Sequence, residues 1–483
     1  MAVLPERHGV RAIRRLGLWL SRAVLALILL ATLTAAGGWL LLRESGLAPA
    51  QVLDELEHHL QQRPEALQWL ASPLALTREA LDVPSPEQRK AALGPPPAPP
   101  DRWKAGQSGA VPSPGSRVLR VGPQETVKTL SEAARLAKDG DVVEVVAGDY
   151  LAPQAVWHQR RLSIRSVGGN ARMLGQGKVA EGKAIWVIRD GQFSIEGIDF
   201  IGARAADRNG AGIRLERGQL TVRHCLFWDS DSGILTGGGA GQEAGLLHVE
   251  SSEFGYLGFG DGLSHAIYVG EIGRFHISHS YLHHGKVGHL IKSRALVNHI
   301  RYNRITDEAA GRSSYQIDLP NGGLSVVMGN LIQKGPLAEN GTLVSYGAEG
   351  LRKGSHRLYL VNNTLVNDQR HVGAFMRVAA GATSVVVLNN VLVGAGAFLG
   401  DAPLSEANNP KLRDAAFVAP LQFDYRLKDA GSGARLNWLA PALPRIGDAA
   451  LVPEAQYLHP RQLQPLLGPP QLPGAFQAEG TKR

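Results

Sequence analysis

The chain has 483 residues, one cysteine and a formal charge of +8. The lone Cys225 excludes an intrachain disulfide, argues against a zinc-thiolate site or a redox pair, and reads as a small buried apolar residue. Gly is abundant at 57 residues and aromatics make up only 6%, a balance suited to many short strands and tight turns in an elongated repeat fold rather than to one compact domain of this length.

In chain order, Arg7, Arg11, Arg14, Arg15 and Arg22 precede an uncharged, mainly apolar run at residues 23–42. That run is long enough to span a bilayer as a helix. The positive-inside rule keeps residues 1–22 in the cytoplasm and sends the bulk of the chain across. The expectation is a single-pass protein of the inner (cytoplasmic) membrane with its main mass in the periplasm. A cleaved signal peptide with a processing site near Thr34-Ala35-Ala36 is the competing reading; continuation of the run through Trp39 to Leu42 favours an uncleaved anchor. The five arginines, less Glu6, supply about half of the net charge, so the exported part is only mildly basic. With no basic helix and no aromatic stacking motif, nucleic acid is not expected as a partner.

Residues 43–83 read as a helical stalk broken at Pro64 and Pro73, and residues 84–116 as an extended Pro-rich linker. The folded domain is expected at 117–400, followed by an extended C-terminal tail at 401–483 packed against it. Its first element is a helix over 129–138, with Gly140 as a suitable C-cap, followed by a strand at 141–146. Such a helix covers the open end of a solenoid.

The decisive signal is a repeat. Eight segments share the pattern apolar-x-x-small/Asn-x-apolar, with middle residues Ile198, Cys225, Ser252, Ser280, Asn303, Asn330, Asn363 and Asn390. Most steps are 27 or 28 residues, with one of 23 and one of 33. Alternation inside each unit is that of strands, and no unit can bury its apolar face alone. Stacking them gives an all-β parallel β-helix whose crossovers are expected to be right-handed. Asn303, Asn330, Asn363 and Asn390 are expected to stack at turns, where Asn tolerates left-handed backbone and bonds along a ladder.

On these residues the sequence resembles the pectate-lyase-like superfamily of right-handed parallel β-helix proteins. TVKTLSEAARLAKDGDVVEVVAGDY looks like that family's N-terminal cap and first rung, VNNTLVND and LNNVLVG like its rungs, and FDYRLKDAGSGAR, VPEAQYLHP and GAFQ like its closing tail. The resemblance implies fold more specifically than activity, because the architecture hosts lyases, epimerases, hydrolases and noncatalytic proteins.

A second strand in each rung also aligns: GIRLE, SGILT, HAIYVG, GHLIKSRA, SYQIDLPNGG, TLVSYGAEG and AFMRVAAG. With Ile213, Ile234, Ile267, Ile291, Ile317, Val344 and Met376 inward, the outward row is Arg214, Leu235, Tyr268, Lys292, Asp318, Ser345 and Arg377. Arg294 shares the face of Lys292. His265, His289 and Tyr315 form a neighbouring column, three residues earlier on successive rungs.

The resemblance implies that this face binds sugar polymers, and the expected partner is an acidic polysaccharide. The chemistry that fits is proton abstraction at C5 of a uronic acid, by a lyase or a C5-epimerase. It needs a cation for the carboxylate, a base for the C5 proton and an acid near the leaving oxygen. The candidate catalytic residues are Lys292, Arg294, Tyr268, His289, His265 and Tyr315; the candidate substrate-binding residues are Asp318, Asn321, Arg377 and Arg214. Lys292 serves as base if the neighbouring cation favours its neutral form. Asp318 opposes this, and if its effect dominates Lys292 binds carboxylate and His265 or His289 becomes the base; a plain ion pair between Lys292 and Asp318 is the structural alternative.

GHLIKSRALVNHIRYNRI is similar to the lysine-bearing rung of the alginate lyase and chondroitinase B family, with Lys292 at the position of that family's catalytic lysine. One rung later the chain departs from the family, with IDLPNGG and Asp318 in place of an arginine-bearing motif. No cofactor is assigned. Calcium has no acidic cluster to support it, and Trp228-Asp229-Ser230-Asp231 reads as an exposed turn. The alternative function is a noncatalytic carbohydrate-binding or envelope-scaffold β-helix. Convergence of Lys292, Arg294 and one neighbouring acid-base group in an open groove marks an enzyme; dispersal, or locking in pairs beneath a loop, marks a scaffold.

Overall fold

The computed structural model describes residues 71–80, 84–100, 115–428 except 152 and 353, and 451–477, with isolated positions elsewhere. The expected membrane helix at 23–42 and most of the 43–83 stalk lie outside the described residues; among those described, no helix is long and apolar enough to cross a membrane.

Residues of the repeat wind into three parallel faces. One carries Gln192–Glu196, Gln219–Arg223, Leu246–Glu250 and their successors, and a second carries Ile198–Ile201, Leu226–Trp228, Glu253–Gly255 and theirs. The long strand Arg161–Leu174 bends across both and joins them into one 21-stranded sheet. The third face is a ten-stranded sheet from Ala155–Trp157 to Gly396–Gly400. Every pairing within these sheets is parallel, and each strand pairs with its counterparts one turn away, which is the definition of a β-helix.

The core follows from the inward half of each alternation. Phe200, Phe227 and Phe254 stack with ring centroids 5.2 and 4.7 Å apart, and their column continues through Leu282, Ile305, Ile332, Leu365 and Leu392. All eight are buried. Cys225 is buried as well.

The repeated middle residues form a hydrogen-bond ladder inside one corner. Each Asn side chain from Asn303 to Asn390 donates to the Oδ1 of the next, ending on Asn409, at 2.9 to 3.0 Å. The same amides donate to core carbonyls such as Ile300 and Val327 at 2.8 Å. Upstream, Ser252 and Ser280 hydroxyls take the acceptor role. One detail differs from the sequence expectation: the left-handed residue is the one before the ladder position. Tyr302, Gly329, Asn362 and Asn389 have φ of 55°, 70°, 53° and 56°. The turn is made one residue early so that the ladder side chain points inward.

The N-terminal end is closed by the helix Leu130–Leu136, whose Thr129 side chain caps the Glu132 N–H and whose Leu130, Ala133 and Ala134 are buried. Its C-cap is Ala137, not Gly140, because the chain turns extended there; Gly140, with φ 88°, serves the following turn instead. Two further differences concern segments flanking the solenoid. The expected linker opens with a helix, Pro86–Leu93, closed by a capping box on Ser85. It docks rather than spans: Arg89 is buried and pairs with Glu339 at 3.3 Å, and Pro97 carbonyl accepts from the Trp228 indole. At the other end, parallel pairing continues past residue 400 through Leu404–Ala407 and Lys411–Leu412. The described part of the tail then lays Phe417, Tyr425, Leu451, Ala455, Ala475 and Phe476 on apolar outer surfaces.

Candidate functional site

Register on the third face creates the outward row. Arg214 pairs with Leu235, Leu235 with Tyr268, Tyr268 with Lys292, Lys292 with Asp318, Asp318 with Ser345 and Ser345 with Arg377. Each residue alternates with a buried Ile, Val or Met, so its side chain points away from the core.

The row divides into two neighbourhoods. Toward the N-terminal end is an open groove of about 650 Å³ lined by Asn209, Arg214, Leu235, His265, Tyr268, Glu271 and Arg294, with the Gly237–Gly239 backbone as part of its wall. Toward the C-terminal end, Lys292, Asp318, His289, Tyr315 and Asn321 cluster without lining that groove. Arg377 lies two strands beyond Asp318 and acts electrostatically on Tyr315 of the second group.

Arg294 links the two. Its Nε donates to the Tyr268 hydroxyl oxygen at 3.0 Å, its Nη1 to Asn321 Oδ1 at 2.5 Å and its Nη2 to Glu349 Oε2 at 2.5 Å. Burial alone would lower the Arg294 pKa, but its hydrogen bonds to Glu349 and Tyr268 outweigh burial and raise it. Lys292 Nζ donates to Glu349 Oε1 at 2.6 Å and stands 3.6 Å from Asp318 Oδ2. The lysine is therefore held between two carboxylates beneath a loop and off the groove, the arrangement expected of a scaffold, whereas Arg294 and Tyr268 meet at the open groove as an enzyme requires.

The histidine column stacks as its spacing requires. His265 and His289 rings lie 4.7 Å apart, and Tyr315 packs 4.8 Å from His289. His265 Nδ1 accepts the backbone N–H of His289 at 3.0 Å, so a neutral His265 carries its proton on Nε2. Burial, reinforced by Lys292 and Arg294, pulls the His265 pKa down to about 3. Burial, then His265 and Lys292, holds His289 well below its ordinary range. His289 Nε2 is 3.5 Å from Asp318 Oδ2. Burial pushes the Asp318 carboxyl up to about 6 against the opposing pull of Lys292.

Sequence reasoning missed Glu349, Glu271 and Arg352, which complete the ionic pattern. All three stand outside the third-face strands, so the strand period does not place them. One signal was present: the 33-residue step between Asn330 and Asn363. The additional residues of that turn form the loop that carries Glu349 and Arg352. The Trp228–Asp231 segment is also unlike its expectation. Asp231 is buried and accepts from the Ala205 and Gly210 N–H groups, while Asp229 pairs with Arg204 and Lys286. Among the described residues, no group of three or more His, Cys, Asp or Glu is arranged to hold a metal ion.

Fold and groove together define a parallel β-helix protein with a cationic, tyrosine-bearing groove on one face. Among solved structures the chain is similar to pectate lyase Pel9A, with a TM-score of 0.46 and 12% identity over 76% of this chain and 98% of that one. It is also similar to the ORF18 protein of Geobacillus virus E2, with a TM-score of 0.25 and 12% identity over 56% of this chain and 53% of that one. No protein-family model matches the sequence, and no curated protein does.

Proposed function

We propose that this protein acts on an acidic, uronate-containing polysaccharide by drawing the C5 proton from a sugar in the groove, in a lyase or C5-epimerase reaction. The observation that carries the reading is Tyr268 bonded to Arg294 at the wall of a groove that also holds Arg214. Arginines suit planar carboxylates, and neutralising the carboxylate makes the adjacent C5–H more acidic. Tyr268 supplies an oxygen for proton transfer. Arg294 Nε already donates to that oxygen, and the bond is strongest while the oxygen is the phenolate that takes the C5 proton.

In the lyase form the Tyr268 oxygen, as phenolate, takes the C5 proton, the C5–H electrons become the C4–C5 double bond, the C4–O bond breaks, and the Tyr268 phenol returns a proton to the leaving oxygen; no water or oxidant is consumed. The epimerase form returns a proton to the opposite face of C5. Lys292, engaged by Asp318 and Glu349, acts in this reading as a carboxylate-holding cation rather than as the base. His265, with Nδ1 occupied, offers an N–H donor. The proposal includes attachment to the inner membrane through residues 23–42 with the β-helix in the periplasm, supported by the apolar run and the arginines before it.

The test is calorimetric titration of the detergent-solubilised full chain with oligouronates and with neutral oligosaccharides of equal length. Saturable binding of the acidic series, weakened about tenfold or more in Arg214→Ala, is the expected result. Equal binding of the neutral series, or no binding of either, contradicts the reading. Fractionation of cells should place the full chain with the inner membrane; a soluble chain lacking its N-terminal segment would contradict the anchor.

A further inference from the structure

Two neighbouring cations, Lys292 of the outward row and Arg294 just past the end of its strand, already hold a carboxylate, and it comes from this chain. Glu349 Oε1 accepts from Lys292 Nζ at 2.6 Å and its Oε2 accepts from Arg294 Nη2 at 2.5 Å. The donors stand two residues apart, so both rise from the same side of the chain. A single carboxylate spanning them has the geometry by which a pair of cations holds an incoming sugar acid.

Glu349 is not part of the scaffold that positions its partners. The strand Thr342–Tyr346 ends before it and Arg357–Val361 begins after it. Residues 347–352 form a strap whose backbone is fixed, with the Gly347, Glu349 and Arg352 N–H groups donating to the Leu319, Pro320 and Asn321 carbonyls at 2.9, 3.1 and 3.4 Å, so that only the Glu349 side chain is free to move. Asn321 Nδ2 donates to the Gly350 carbonyl at 3.0 Å, and Leu351 packs against the core. Arg352 reaches Glu271, a groove residue, at 3.2 Å. The strap thus ties across the face to the groove wall.

Exposure separates the partners. The Glu349 side chain is 42% exposed, against 12% for Lys292 and 19% for Arg294. The carboxylate covers the cations while facing solvent itself, so it can swing outward without uncovering apolar surface.

We infer that Lys292 and Arg294 form a seat for a ligand carboxylate, and that Glu349 occupies this seat in the empty protein as a displaceable stand-in. An acidic polymer binds by exchanging one of its carboxylates for that of Glu349. The exchange keeps both cations paired throughout, which an uncharged sugar cannot do, so the strap selects against neutral glycans. The identity of the natural ligand rests on the uronate reading above; the seat itself does not.

The test uses the full chain with Glu349→Gln, which keeps the side-chain shape and removes the competing charge. Binding of oligogalacturonate is followed by calorimetry, and thermal unfolding is followed in sodium sulfate against sodium chloride of equal ionic strength. Glu349→Gln should bind oligogalacturonate about tenfold more tightly than the unaltered protein and gain a sulfate-dependent rise in unfolding temperature. Adding Lys292→Ala should abolish both gains. Arg352→Ala, which loosens the strap without touching the seat, should show a smaller gain. A sulfate gain in Glu349→Gln with no oligogalacturonate binding by any form supports the seat and defeats the uronate reading. A folded Glu349→Gln protein that responds to neither probe better than the unaltered chain overturns the inference.

Discussion

Tyr268 and Arg294 lie 26 residues apart in sequence, yet the Arg294 Nε–H reaches the Tyr268 oxygen at 3.0 Å and its guanidinium carbon stands 5.9 Å from the ring centroid. The contact exists because winding the chain once brings Tyr268 into register with Lys292, two residues before Arg294. It makes a tyrosine oxygen part of a cationic groove wall, and the proposed chemistry follows from it.

Tyr268→Phe keeps the ring and deletes that oxygen. Turnover of a uronate polymer should fall by about a hundredfold or more, with binding changed less than threefold, of the order of a few tenths of a kcal/mol. Initial rates and titrations on the same preparation measure the split. Loss of binding in proportion to rate would assign Tyr268 to holding the sugar instead.

Asp318 offers a pH test. Burial raises its pKa from 3.8 to about 6, so the folded state holds this proton more tightly than the unfolded chain. Its contribution to stability is present below the unfolded value and is lost as pH rises through about 6. Asp318→Asn removes that loss. The stability of the variant relative to the unaltered protein should therefore increase by about 2–3 kcal/mol between pH 4 and 7. Denaturant titrations at several pH values read the difference, and a gap independent of pH contradicts the assignment.

His265 has the opposite sign. Its folded value of about 3 lies below its ordinary 6.5, so its contribution is present above 6.5 and is lost as pH falls toward 3. His265→Asn should lose less stability than the unaltered protein between pH 6 and 4, measured by the midpoint of thermal unfolding at each pH. An unchanged acid slope would show that the ring is not buried neutral.

The ladder predicts a graded series. Asn363→Ala leaves the Asn330 N–H and the Val327 carbonyl without their partners inside the corner, at a cost of about 2–4 kcal/mol. Asn363→Ser, which restores an acceptor of the kind used at Ser252 and Ser280, should cost about half as much. Thermal midpoints rank the variants. Equal losses for Ala and Ser would mean that the ladder's hydrogen bonds do not set the cost.

What the sequence made legible is what repetition controls. The period located the stacked faces, and the alternation within each unit separated inward Ile267 and Ile291 from outward Tyr268 and Lys292. The left-handed turn residue was placed one position late because Asn occupies both places at Asn362-Asn363 and Asn389-Asn390, and both chemistries suit Asn. Glu349 and Arg352 escaped because no period constrains a turn; only the long 33-residue step showed that this turn carries extra chain. The docking of Arg89 against Glu339 depends on a contact across 250 residues, which local composition does not encode. The expected linker there read as extended because its prolines masked the capping box at Ser85.

The most direct measurement follows C5 itself. The full chain is incubated with a panel of uronate polymers in deuterated solvent, and ultraviolet absorbance of unsaturated ends and deuterium at C5 are read together. One or both signals are expected with at least one acidic polymer, and both are lost in Tyr268→Phe. Saturable binding of those polymers with neither unsaturated ends nor deuterium at C5 would overturn proton abstraction at C5.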